Sequence, residues 1–317
     1  MKYRFIQHSL ALLSCICVII CFCSCGKSNE DPTPVAPVQT DTSDPDKKGA
    51  RDNSSTVLVP TAPGTEYYSC DVASLDASNS SEGYVIVNYY GTNSKVKLQI
   101  TGPDQVTYTY NLHGGNEVFP LTAGSGSYVI NVYENIQGTQ YASAFSQEIR
   151  VSISNEFGPY LYPNQYVNFN ASSLPVGMAR NLAYSANEDI EVVQNVYNYI
   201  ISKFTYDYDK AKSVQSGYLP VVDEIYKSNT GICFDYAAVM ATMLRSQRIP
   251  TRLEVGYMGE QYHAWISTYI KDVGWVNGII EFDGTDWNLM DPTFASTSKS
   301  PQKFITENSK YITKYVY

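Results

Sequence analysis

Cys233, His263 and Asp291 are residues whose types could together support nucleophilic chemistry, and they follow one another with about thirty positions between neighbours. The thiol has the most telling surroundings. Ser228, Asn229 and Thr230 are all able to cap a helix, Gly231 lets the backbone be approached closely, and Cys233 then falls in the first turn. A sulfur in that place lies beside unsatisfied N–H groups and the positive end of the helix dipole, which favours thiolate over thiol. The same N–H groups can point at an oxyanion formed next to the sulfur. Taken singly, each residue also has an ordinary role: Cys233 as a buried apolar side chain, His263 as a core histidine, Asp291 as the start of the Asp291-Pro292 turn.

The elements that must carry these residues are legible in the hydrophobic pattern. Tyr236, Val239, Met240, Met243 and Leu244 share one face of a helix spanning about 232–248, which Ile249-Pro250 ends. Ile190, Val193, Val196, Tyr197, Ile200, Ile201 and Phe204 predict another helix over about 186–204, with Ser185 and Glu188 spaced as a capping box. The run from His263 to Ile270 alternates as a strand and faces His263 the same way as Trp265. Residues 286–291 predict a short strand ending at Asp291. Histidine is scarce, with three in the chain, so its occurrence at 263 is informative.

As a set, Gly231-Ile232-Cys233-Phe234-Asp235-Tyr236-Ala237, Ile249-Pro250-Thr251-Arg252, Val255-Gly256-Tyr257, His263-Ala264-Trp265, Trp287 and Asp291-Pro292-Thr293 resemble the transglutaminase-like superfamily over about residues 180–295. The resemblance implies a papain-like α/β core in which the cysteine opens a helix that packs on a sheet bearing the histidine and aspartate. It implies Cys233 as nucleophile, His263 as general base and acid, and Asp291 as the group that orients the imidazole. The thiolate would attack an amide carbonyl and form a thioester; water would then give hydrolysis or deamidation, and a primary amine a cross-link. A second oxyanion donor should come from upstream of the helix, with Tyr218 and Gln215 as candidates. Trp265 and Trp287 either pack around the dyad or simply fill the core. The calcium dependence of some animal transglutaminases is not carried over, because no acidic loop of the needed pattern is present.

Upstream, residues 63–155 switch to period two, as in Tyr84-Val85-Ile86-Val87 and Tyr128-Val129-Ile130-Asn131-Val132, with Gly, Asn and Asp at short intervals between the runs. That pattern predicts an Ig-like β-sandwich serving as a spacer or docking module, so that the fold class is α+β, with a transglutaminase-like domain over 156–317. Residues 25–62, rich in Pro, Asp, Ser and Thr, predict a disordered tether. Residues 1–24 carry Lys2 and Arg4 and then an apolar run from Leu10 to Phe22, of signal-peptide length and shorter than the roughly 20 residues that span a bilayer. The run and the following Ser24-Cys25-Gly26 resemble a bacterial lipoprotein signal, with Cys25 as the lipidation site and Phe22 a departure from the usual leucine.

Composition bounds the partners. Five of the seven cysteines lie between Cys15 and Cys25, leaving Cys70 and Cys233, so there is no disulfide framework. A net charge of −9 without any Lys/Arg run excludes a nucleic-acid footprint. No nucleotide-phosphate loop, HExxH or paired CxxC is present, and neither cofactor nor metal is implied. The expectation is an extracellular protein, anchored to a bacterial membrane by its N-terminal lipid, acting on a protein or peptide substrate, cell-wall peptide included. Its alternative is an inactive surface adhesin or cell-wall binding protein.

Overall fold

The structure is a computed structural model that describes residues 46–258, 260–277, 280–282, 287–289 and 311–317. Two four-stranded antiparallel sheets come first. They are built from β1 (Tyr67–Ser69), β2 (Ala73–Asp76), β3 (Tyr84–Tyr89), β4 (Val96–Thr101), β5 (Thr107–Leu112), β6 (Gly115–Pro120), β7 (Gly126–Gln137) and β8 (Gln140–Val151). The strand orders are β1-β2-β3-β6 and β5-β4-β7-β8. Alternation does what it should: Val96, Leu98 and Ile100 of β4 and Tyr128, Ile130 and Val132 of β7 are buried, while the residues between them are less so.

The second region contains α1 (Leu174–Leu182), α2 (Asp189–Lys203), β9 (Thr205–Tyr206), α3 (Tyr208–Ser213), α4 (Val222–Ser228), β10 (Thr230–Gly231), α5 (Cys233–Ser246), β11 (Thr251–Met258), β12 (Gln261–Ile270), β13 (Gly274–Asn277), β14 (Ile280–Phe282), β15 (Trp287–Leu289) and β16 (Tyr311–Val316). Its main sheet has the order β13-β12-β11-β16 and is antiparallel throughout. Helix α5 packs on β11 and β12 and is flanked by α1, α2 and α4. It is buried on every side from Asp235 to Ser246. A helix so enclosed must be apolar all round, and Ala237-Ala238-Val239-Met240-Ala241 meets that need. Full burial of Met243 and Leu244 each contributes roughly 1.5–3 kcal/mol.

No linker separates the two regions. One cluster of buried residues runs from Leu75, Leu98 and Ile130 through to Val196, Met243 and Leu253. Strand β5 lies against the C-terminal strand: the Tyr108 hydroxyl accepts a hydrogen bond from the Val316 N–H at 3.3 Å, and its ring meets Tyr315 and Tyr317 edge-on. The region expected to be a spacer or docking module is therefore packed directly against the downstream one.

Two expectations need correction. The tether predicted to be disordered over 25–62 is held in place from Gly49 onward. The Arg51 guanidinium donates to Asp189 Oδ1 at 2.6 Å and to both the side chain and the carbonyl of Gln247. The Thr56 N–H donates to the Ser246 carbonyl at 2.8 Å, and Val57 packs on the core. Composition gave no sign of this because the partners lie more than a hundred residues away. The capping box expected at Ser185 is also absent: α2 starts at Asp189 after Glu188, and Glu191 accepts from the Asn187 N–H at 2.6 Å. The carbonyls of Tyr184 and Ala186 serve the strap instead, taking the N–H groups of Gly49 and Arg51. Among the described residues no helix is long and apolar enough to cross a membrane.

Candidate active site

The reactive end of α5 is set up by a two-residue ladder. β10 pairs in parallel with β9, placing Gly231 opposite Tyr206, and Asn229 in the left-handed conformation (φ 49°) turns the chain out of α4 into it. Extended Ile232 follows, and Cys233 begins the helix. The Asp235 side chain reaches back to accept the Ile232 N–H at 2.9 Å, satisfying one of the donors left open at a helix start. A Cβ on Gly231 would lie 2.6 Å from the Asp235 Cβ, so only glycine leaves that carboxylate its room.

Asp235 is fully buried and is neutralised by Lys210, whose Nζ lies 2.6 Å from Oδ2. Tyr218 donates to Oδ1 at 2.6 Å, and Lys210 donates to the Tyr218 oxygen at 2.7 Å. This triad pins the segment after α3 against the first turn of α5. Tyr218, one of the two candidate oxyanion donors, thus gives its single phenolic proton to Asp235 in this arrangement. Burial and then the Asp235 carboxylate push the Tyr218 hydroxyl well above the usual phenol range. Gln215 is exposed and donates its amide to the Ser213 carbonyl at 2.7 Å.

The Cys233 sulfur is partly buried and hydrogen-bonded by the N–H groups of Ala264 and Phe234 and by the Tyr206 hydroxyl. Burial nonetheless dominates and pushes the thiol above its ordinary value. The expectation that the helix start favours thiolate is thus outweighed at rest. His263 comes from β12, in register with Gly256 of β11 and stacked on Trp265 with ring centroids 6.3 Å apart. It is only 4% exposed, and burial lowers its imidazole to about 4. The Nδ1 atom finds no hydrogen-bond partner among the described residues. Near neutral pH the resting pair is therefore uncharged on both sides.

Cys233 and His263 line one cavity of about 590 Å³. Its walls include Tyr166, Tyr206, Tyr218, Tyr262 and Tyr317, together with Thr109 from β5, so the upstream sheets contribute directly to the cleft. Gly217 is the close approach that lets them do so: its φ is +88°, and a Cβ there would fall 2.0 Å from Asn111 Nδ2. No Lys, Arg, Asp or Glu occurs among the described lining residues. Among the described residues no group of three or more His, Cys, Asp and Glu side chains is placed to hold a metal ion.

The family model of the Transglutaminase-like superfamily matches residues 176–278, which include both Cys233 and His263. This segment is a transglutaminase-like domain. The chain is 24% identical over 150 residues to the uncharacterized protein YebA of Bacillus subtilis (strain 168), a match covering 40% of this chain and a fifth of that protein's length. Among solved structures, the periplasmic domain of TgpA from Pseudomonas aeruginosa, bound to ethylmercury, is 15% identical, with 78% of this chain and 80% of that one covered and a TM-score of 0.31. Red sea bream transglutaminase is 13% identical, with 66% of this chain and 48% of that one covered and a TM-score of 0.27.

In the transglutaminase-like domain the structure brings Cys233 and His263 to one cavity, with Tyr218 and Gln215 on its wall. Asp291 lies outside the described residues, as does Cys25. Trp287 opens β15, paired with Phe282 of β14. What sequence reasoning missed is Tyr206. Its one local sign is a β-prone Phe204-Thr205-Tyr206 run after a helix, which does not reveal that a ladder to β10 carries it to the sulfur.

Proposed function

We propose that the protein is a membrane-tethered, extracellular thiol acyl-transfer enzyme acting on peptide or protein amides, with hydrolysis favoured over cross-linking. The observation that carries this reading is the helix-opening Cys233, whose sulfur is bonded by the N–H of Ala264, the neighbour of His263, with both functional residues on one cavity. In the forward step the thiol proton passes to the imidazole as Sγ bonds to the carbonyl carbon, and the carbonyl electron pair moves onto oxygen. Collapse breaks the C–N bond, the amine leaves with the proton from His263, and a thioester remains on Cys233. Water, deprotonated by the same imidazole, then releases the acid. Asp291 is assigned the orphan Nδ1 of His263, where an anion favours the imidazolium and so raises the proton affinity that burial lowers.

Hydrolysis is preferred because the described lining of the cavity offers no carboxylate to hold a cationic amine acceptor. The upstream pair of four-stranded sheets is assigned to an Ig-like β-sandwich that walls the cleft, and Cys25 to the lipid anchor. The test incubates a peptide library with the enzyme, with and without a tagged primary amine, and reads the products by mass spectrometry against Cys233→Ala. Cleaved or deamidated peptides that vanish in the variant support hydrolysis. Incorporation of the tag overturns the preference, and identical products from both proteins sink the enzyme reading.

A further inference from the structure

Tyr206 is placed with unusual care for a residue in a strand of two. The Thr205 N–H donates to the Asn229 carbonyl and the Asp207 N–H to the Gly231 carbonyl, each at 2.8 Å, so the backbone is fixed on both sides of it. Its ring meets Tyr208 at 5.0 Å and 66° and Tyr236 at 6.2 Å and 82°, both edge contacts that set its direction. The hydroxyl is directed at Cys233, whose backbone N–H and thiol both bear on it. It faces the same cavity as the sulfur.

That location has a chemical meaning. The oxygen of a tetrahedral intermediate is one bond away from the carbon attached to Sγ, so it forms in the shell where the Tyr206 hydroxyl and the Cys233 N–H already meet. Donors preset in that shell stabilise the charge with little reorganisation. Tyr218 gives its only proton to Asp235, and the exposed Gln215 amide donates one of its two N–H groups to Ser213. Burial, and then the neighbouring Cys233, push the Tyr206 hydroxyl up to about 12, so it keeps its proton throughout the neutral range.

We propose that Tyr206 is a catalytic residue, whose hydroxyl turns from the Cys233 sulfur to donate to the oxyanion while the Cys233 N–H acts as the companion donor. This rests on Cys233 being the nucleophile. No proton leaves Tyr206 in the step. Its hydrogen bond strengthens as the carbonyl pair moves onto oxygen and relaxes as the C–N bond breaks and the pair returns.

Two probes of Cys233 separate an oxyanion donor from other roles. Acylation by p-nitrophenyl acetate passes through a tetrahedral oxyanion, with Sγ–C formed and p-nitrophenolate expelled. Alkylation by iodoacetamide displaces iodide at a saturated carbon and forms none. Tyr206→Phe in the full chain is expected to slow acylation about 100-fold or more, while alkylation changes less than about threefold by the same mechanistic argument. Acylation within threefold of wild type overturns the proposal. So does a parallel fall in both rates, which marks a residue that only holds the thiol, or a parallel rise, which marks one that only masks it. Wild-type acylation no faster than that of Cys233→Ala overturns the nucleophile reading itself, a distinguishable failure. Should the phenylalanine form not fold, 3-fluorotyrosine at position 206 keeps ring and hydroxyl while making the latter more acidic. Its ratio of acylation to alkylation is expected to change at least about twofold, and an unchanged ratio overturns the proposal.

Discussion

At its first turn α5 buries an acid, Asp235, and at its last turn a base, Arg245, each on the side that complements the helix dipole. The acid is met by an ammonium, a phenol and a backbone N–H, two of them from the wall of the cavity. The base is met by three main-chain oxygens, those of Tyr162, Thr251 and Tyr317, at 2.8–3.0 Å. Among the described residues no Asp or Glu side chain pairs with Arg245, and burial brings it down to about 9, still a cation near neutral pH. The contrast separates two uses of buried charge. Main-chain oxygens fixed by the fold seal one end, whereas side chains that also shape the cleft complete the other.

Breaking the sealed end should have the largest effect. Arg245→Ala removes a donor from three backbone oxygens and leaves a void, and a loss of about 4 kcal/mol is expected in urea unfolding, with the rate of Cys233 alkylation in the folded fraction unchanged. A slowed alkylation would mean that the two ends are coupled.

The pH dependence at the reactive end is next. Alone, His263 binds its proton near 4 when folded and near 6.5 when unfolded. Between those values the unfolded state holds more protons, so stability is complete above about pH 6.5 and is lost as the pH falls toward 4, by about 3 kcal/mol. A carboxylate at Nδ1 opposes that loss. Asp291→Asn is therefore expected to show the full decline in urea midpoints between pH 6.5 and 4, and the wild type a smaller one; coincident curves would remove Asp291 from the site. The smallest effect belongs to Lys210, itself partly exposed. Lys210→Met should cost about 2 kcal/mol, and Asp235→Asn in the same chain should recover part of it in the same measurement.

The features legible in the sequence were those that rest on local pattern. The α5 segment through Val239, Met240, Met243 and Leu244 and the β12 segment around His263 and Trp265 were legible as local apolar and β-prone runs, although the fold buries both on all sides rather than on the one face the pattern suggested. Tyr206, Lys210 and Thr109 gave no such sign. Tyr206 and Thr109 reach the cleft through a two-residue ladder and a strand edge of the upstream sheets, and Lys210 reaches the Asp235 carboxylate behind it from a short helix; none of these leaves a repeat in the sequence. Thiol and imidazole ionisation was illegible for a related reason: the helix start is local, but the burial that outweighs it comes from elements distant in the chain.

The strap of residues 49–57 is attached at the far end of α5 from the cleft, through Ser246, Gln247 and Arg248 as well as Asp189. With 14 residues in the helix, that is roughly 20 Å from the sulfur. A pull on the chain ahead of Gly49 would thus be borne first by the Gly49 and Ala50 N–H groups, and then by the Arg51 and Arg248 guanidinium groups. Such a load would enter the molecule at a multiply bonded corner at the far end of α5, and the reacting groups would stay outside the path of the force.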